Sequence, residues 1–289
     1  QSLLFIPKDI DAAYYLVHSM SSGNNFDGNE SKSAENFSAA IEKTNAKQII
    51  FLSGIVNSAD LSKHLSSRRN VERILGEGKT PLTTLRAGII VGSGSASFEI
   101  IRDLVEKLPV MIAPRWLHTK CQPIAIRNVI EFLAGVLLRE DAFSQHFDIY
   151  GPDILSYKQM LLQFAAERKL NRRIYIVPVM TPRLSSYWLY FATSTSYSLA
   201  RNLVDSMHVD VVAKPNDLAE RLHINLIPYR KAIRLAFEKI EQNMVLSSWY
   251  DATGRSYSKE MIEKQMSLPT NGVFIDHKPA HTDDTERAA

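Results

Sequence analysis

The sequence predicts an α/β protein built on a mostly parallel sheet. Apolar runs of strand length alternate with segments of helical period along the first part of the chain, the order expected of βαβ units. The strand-like runs are apolar throughout instead of alternating, which places both faces of the sheet under cover. After Pro152 helix-period segments dominate. That region is expected to form a smaller helical cap on the carboxyl edge of the sheet.

Each element has its own signal. Asp11–Val17 (DAAYYLV) is a buried strand, and Glu30–Thr44 is a helix with Ala34, Phe37, Ala40 and Ile41 at helical spacing. Gln48–Leu52 (QIIFL) is a second buried strand that stops at Ser53-Gly54. Asp60–Leu75 is a helix with Asp60 as its N-cap. Leu82–Val91 is a third strand. Ser95–Leu108 is a helix that lines up Phe98, Ile101, Val105 and Leu108, and Pro109–Ala113 (PVMIA) is a short fourth strand. Ile126–Leu138 is an apolar helix, and Phe147–Tyr150 is a strand closed by Gly151-Pro152. Ser156–Leu170 is an amphipathic helix and Arg173–Val179 a strand. Helices follow at Pro182–Phe191, Ser196–Met207 and Tyr229–Gln242. Beyond Asn243 the chain is polar and mixed, with VLSSWYDA and GVFIDHK as isolated strand-like pieces.

Composition narrows the function classes. The 289 residues are 45% hydrophobic and 22% charged, with a net charge of +3 and no clustered basic face. These are ordinary globular values, and no nucleic-acid partner is expected. The single cysteine, Cys121, allows no internal disulfide and fits a reducing, cytoplasmic setting. No His/Cys cluster stands at metal-ligand spacing, so no metal is expected. No signal-peptide pattern is present, and the apolar stretch Tyr187–Ala200 is too short and too polar to span a membrane.

In an open parallel sheet, ligands bind beyond the carboxyl ends of the strands. The candidates are therefore His18-Ser19-Met20, Ser53-Gly54-Ile55, Ala87-Gly88-Ile89 with Gly92–Ser95, and Pro114-Arg115-Trp116. The Ser53 hydroxyl is placed to bond a carbonyl or alcohol, or simply to turn the chain. His64 and Arg68 stand four apart on one helical face. They are either a proton donor beside a ribose-holding cation or a solvated face next to Lys63 and Arg69. Gly92–Ser95 is either an anion site at a helix start or an N-capping turn. Arg115-Trp116 is a diphosphate clamp or a surface ion pair. The cluster Tyr187, Trp188, Tyr190 and Phe191 lines a pocket or touches a membrane surface, and its helical spacing favours core packing over either.

Several segments together carry a family resemblance: DAAYYLVHSM, NFSAAIEKTNAKQIIFLSGIV, LSKHLSSRRNVERIL, LTTLRAGIIVGSGSASFEIIRDLVEKLPVMIAPRW, QPIAIRNV and FDIYGPDILSYKQML. In collinear order they resemble atypical, extended short-chain dehydrogenases/reductases of the NmrA-like, epimerase-related, NAD(P)-binding group. IVPVMTPRLSSYWLYFAT fits the same subgroup, and the tail resembles the start of a START-like domain. The resemblance implies a Rossmann-type sheet whose glycine-rich turn and first strands precede Gln1. The expected organisation is a partial NAD(P)-binding domain with cap over 1–243, the cap mainly 152–243. A linker and truncated START-like start would follow over 244–289.

By the same resemblance, His18 and Ser19 lie along the adenosine and ribose, with Gly54 also on the cofactor. Ser53 stands at the family's catalytic Ser/Thr, and Ala87, Gly88 and Ile89 pack beside the nicotinamide. His64 and Arg68 occupy the places of the Tyr and Lys of Y-x-x-x-K, here His-x-x-x-Arg. Histidine exchanges a proton near neutral pH unaided, whereas arginine holds a ribose but never deprotonates. The implied function is an NAD- or NADP-dependent oxidoreductase or epimerase-like protein acting on a small carbonyl or alcohol substrate. The alternative is a non-catalytic NAD(P)-binding regulatory or assembly protein. With the main phosphate-binding turn outside these residues, they are expected to bind the cofactor weakly on their own. The sequence assigns no oligomeric state.

Overall fold

The computed structural model describes residues 6–17, 26–55, 63–177 and 208–241, all within one compact unit, Gln1–Ala252. The expected helices over 182–207, the aromatic cluster among them, and the tail after Asn243 lie outside the described residues.

The alternation of apolar strands and amphipathic helices produces four parallel strands. They are β1 (Ala12–Tyr15), β2 (Gln48–Gly54), β3 (Leu82–Ala87) and β8 (His146–Ile149), side by side in the order β1-β2-β3-β8. Tyr15 registers with Phe51, Leu52 with Leu85, and Thr84 with His146. Successive side chains on a strand face opposite ways, so each strand feeds two cores. On one face Tyr15, Ile49, Phe51 and Leu82 pack against α1 (Phe26–Ile41) and α2 (Lys63–Gly76) through Ala34, Ile41, Val71 and Leu75. On the other, Ile50, Leu85, Ala87 and Ile149 meet Val129 and Phe132 of α4 (Ile126–Gly135) and Leu218 of α6 (Leu218–Arg221). Gln48 is fully buried yet satisfied: its amide donates to Thr83 Oγ1 and the Val136 carbonyl and accepts from the Leu138 N–H.

A further core lies off the sheet. It gathers α3 (Ala96–Lys107), α5 (Tyr157–Glu167) and α7 (Tyr229–Glu241). Phe98, Phe164 and Phe237 meet there with ring centroids 5.5 to 5.6 Å apart. Around it run short two-stranded pairs. The parallel pairs are β4 (Ile90–Val91) with β7 (Ile124–Ala125) and β5 (Val110–Pro114) with β10 (Arg173–Val177). The antiparallel pair is β6 (Lys120–Cys121) with β9 (Leu155–Ser156).

Two strand expectations need correction. The run Leu82–Val91 is not one strand: the sheet strand ends at Ala87, and Ile90–Val91 pairs with β7 instead. Gly88 marks the break, because a Cβ there would sit 3.2 Å from the Gln122 carbonyl oxygen. The expected fourth strand PVMIA leaves the sheet altogether and pairs with β10. Its cover is one-sided, with Val110 51% and Ile112 55% exposed beside Tyr175 at 56%, while Met111 and Ala113 are buried. Among the described residues no helix is long and apolar enough to cross a membrane.

Candidate active site

The carboxyl ends of β1, β2 and β3 converge on one edge of the sheet. Ser53, one residue from the end of β2, is 6% exposed. It lies on the face shared by Ile49 and Phe51, the side covered by α2. Gly54 registers with Ala87, and the Ile55 N–H donates to the Ala87 carbonyl at 3.1 Å. The Ile89 carbonyl accepts from the Ile124 N–H at 2.9 Å, so 87–89 is pinned on both sides.

Arg68 is not on a solvated face. It is 7% exposed, and its guanidinium lies 4.8 Å from the centroid of the Phe51 ring. Nη1 donates to the Val17 carbonyl at 3.0 Å, and Nη2 donates to the Leu52 carbonyl. Burial pulls its pKa down, while the neighbouring Glu30 and Tyr15 pull the other way. Glu30 is buried between α1 and α2 and accepts from Ser67 Oγ at 2.5 Å. The fold therefore brings Arg68 to the backbone beside Ser53. His64 lies one turn earlier on α2, with its side chain outside the described residues. His18, Ser19 and Met20 lie outside them as well.

The Gly92–Ser95 turn resolves in favour of capping. Ser95 Oγ accepts from the Phe98 N–H at 3.3 Å and donates to the Ile90 carbonyl at 3.0 Å. The Gly94 N–H donates to Glu99 Oε1 at 3.2 Å. A buried carboxylate thus occupies the place an anion would take at this helix start. Gly94 sits at φ 81°, the left-handed region that favours glycine. A Cβ on Gly92 would sit 2.6 Å from Ile126 Cγ2. Arg115-Trp116 also loses its expected position, because β5 is not a strand of the sheet. Trp116 packs into the off-sheet core against Tyr157, ring centroids 6.0 Å apart.

Sequence reasoning missed the strap His208–Asp217, which walls the far end of the same edge. The Val211 N–H donates to the Lys120 carbonyl at 2.8 Å, and the Gln122 N–H returns a bond to the Val211 carbonyl at 3.1 Å. The Lys214 N–H donates to Asp148 Oδ2, and Asn216 Nδ2 donates to the Asp148 carbonyl, both at 2.8 Å. Gly88 faces this strap, since a Cβ there would lie 3.7 Å from Val211 Cγ1. The available signal was Asp148 itself, a carboxylate in the otherwise apolar run FDIY. A cavity of about 520 Å³ lies at the opposite edge, where β3 and β8 begin. Thr84, Arg86 and His146 line it, and the Arg86–Glu72 ion pair crosses its wall. It is not part of this site.

No protein-family model matches the sequence, and no curated protein is similar to it in sequence. Solved structures are similar in fold. One is a nucleoside-diphosphate-sugar epimerase from Staphylococcus aureus, with a TM-score of 0.61 and 12% identity over 78% of this chain and 77% of that one. The fold is Rossmann-like. Triphenylmethane reductase from Citrobacter sp. matches with a TM-score of 0.61 and 12% identity over 79% and 77% of the two chains. UDP-glucuronic acid 4-epimerase from Bacillus cereus, solved with UDP-glucuronic acid and NAD, matches with a TM-score of 0.59 and 12% identity over 84% and 81%. In sheets of this kind the carboxyl edge is where ligands sit, the edge that holds Ser53, Gly54 and Ala87.

Proposed function

We propose that this protein is an NAD(P)-binding oxidoreductase or epimerase-like enzyme acting on a small carbonyl or alcohol substrate. The observation that carries the reading is the convergence of Ser53, Gly54 and Ala87–Ile89 with the α2 face on the carboxyl edge of a Rossmann-like sheet. Two neighbours with that fold are known with NAD, or with NADP(H). The described residues fit the sugar and nicotinamide end of such a cofactor. Ser53, Gly54 and Ala87 would offer it small side chains and a hydroxyl, while in the Gly/Ser turn the Gly94 N–H is already engaged by Glu99. When bound, the nicotinamide supplies or accepts hydride. Ser53 would orient the substrate oxygen, and His64 would give or take the proton at that oxygen. His18, Ser19 and Gly54 would line the cofactor, with Ala87, Gly88 and Ile89 beside the ring. A sugar nucleotide is one substrate class to test, since one neighbour is known with UDP-glucuronic acid.

A second reading, a non-catalytic NAD(P)-binding regulatory or assembly protein, is favoured by one observation. Two donors of Arg68 are fixed on backbone carbonyls where relatives of the resembled type carry a ribose-holding lysine. Titration with NADH and NADPH, followed by nicotinamide absorbance assays over a carbonyl and alcohol panel and by product analysis over a UDP-sugar panel, separates the two. The enzyme reading expects turnover, and it expects His64→Ala to lower that turnover by about 100-fold or more without abolishing cofactor binding. Binding without turnover across the panels supports the second reading. Absence of binding of either NADH or NADPH at every concentration removes both.

A further inference from the structure

Parallel strands leave unpaired carbonyls where their ladder stops. The ladder between β1 and β2 has its last registered pair at Tyr15 and Phe51. Beyond it lie Leu16-Val17 after β1 and Leu52-Ser53-Gly54 on β2. The next carbonyls on each side, those of Val17 and Leu52, are taken by the two Nη atoms of one guanidinium. That guanidinium lies 4.8 Å from the centroid of the Phe51 ring and feels the buried Glu30 carboxylate electrostatically. Two donors set in a rigid planar fork suit such a span, whereas a lysine ammonium is one compact point on a flexible stem.

We propose that Arg68 is a positioning residue: its guanidinium bridges Val17 and Leu52 and so fixes the spacing of the carboxyl ends of β1 and β2 beside the proposed cofactor site. The proposal rests on the NAD(P)-site reading for its functional consequence, but its structural content stands apart from it. The cation that closes His-x-x-x-Arg then acts on the ligand through backbone, not by touching a ribose. Proton transfer is left to His64, with Ser53 set beside a carbonyl that cannot drift.

The test compares the full chain with Arg68→Lys and Arg68→Met by hydrogen exchange read by mass spectrometry and by NADPH fluorescence titration. The expected result is exchange about 10-fold faster at the ends of β1 (16–17) and β2 (53–55) in both variants, with β3 and β8 unchanged. NADPH affinity should fall about 10-fold in both variants, and lysine should give no rescue. Unchanged exchange in the two segments overturns the proposal. So does full rescue of affinity by lysine, which would put the cation on the ligand. Loss of protection in β3 and β8 of Arg68→Lys also overturns it, by making the residue a general core support. If the wild-type chain binds no NADPH, NADH takes its place in the titration; if it binds neither, the cofactor reading fails, while the exchange pattern still decides the role of Arg68.

Discussion

At the scale of single residues, burial sets chemistry that spacing does not reveal. Cys121 is buried, with Sγ 3.4 Å from the Leu155 carbonyl and 3.1 Å from Met160 Sδ. Desolvation, with Asp210 adding to it, pushes the thiol from its ordinary 9.0 to about 12. The unfolded thiol ionises first, so between about pH 9 and 12 the unfolded state binds fewer protons and stability falls as pH rises. Two outcomes follow for measurement: iodoacetamide leaves the native chain unlabelled at pH near 8, and Cys121→Ala flattens the alkaline loss of stability. Rapid labelling of the folded chain would contradict the first. Gly151 is a second such position, because a Cβ there would lie 2.2 Å from the Pro123 carbonyl oxygen. Gly151→Ala should cost about 3 kcal/mol in urea unfolding. An effect under about 0.5 kcal/mol would show that the backbone gives way. The site residues divide along the same line. Ser53-Gly54 was legible, since small residues closing an apolar run mark a strand end. The burial of Arg68 was not, because HLSSRRN offers several polar side chains. Only the packing of α1 on α2, with Glu30 between them, decides which one turns inward.

At the scale of elements, local signals located helices better than they assigned strands to a sheet. The start of α5 was readable from S-x-x-Q. Ser156 Oγ accepts from the Gln159 N–H at 3.2 Å, and Gln159 Oε1 accepts from the Ser156 N–H at 2.8 Å, a reciprocal capping box. Ser156→Ala should lower stability by about 1 kcal/mol and Ser156→Gly by only a few tenths. Equal losses in the two variants, measured by thermal unfolding, would point away from the cap. Strand membership is different in kind. PVMIA and QIIFL are alike as apolar runs, yet among the described residues QIIFL has neighbours on both sides and PVMIA pairs with β10 alone. Partnership is a property of the whole chain path, and nothing within five residues encodes it. One visible hint was Gly88, which stands between the sheet strand Leu82–Ala87 and the outlying pair's Ile90–Val91.

For the whole molecule, the α/β class followed from alternation alone, because parallel strands need crossover helices of predictable length. The three apolar clusters were less legible, since the off-sheet core draws on segments distant in sequence. Removing one ring from that core tests its weight: Phe98→Ala should destabilise the fold by about 3–5 kcal/mol. A change below about 1 kcal/mol would mean that the cluster of Phe98, Phe164 and Phe237 is peripheral. That cluster also dictates an order of events. The layer of α1 and α2 against β1 and β2 can close once the chain has reached Leu82, whereas Phe98 waits for a partner on α7. Through the intervening synthesis its ring faces water or a temporary cover. A ribosome-bound chain halted before Tyr229 should therefore be protease-resistant in β1 and β2 and cleaved readily around α3, and only release of α7 would make α3 resistant as well.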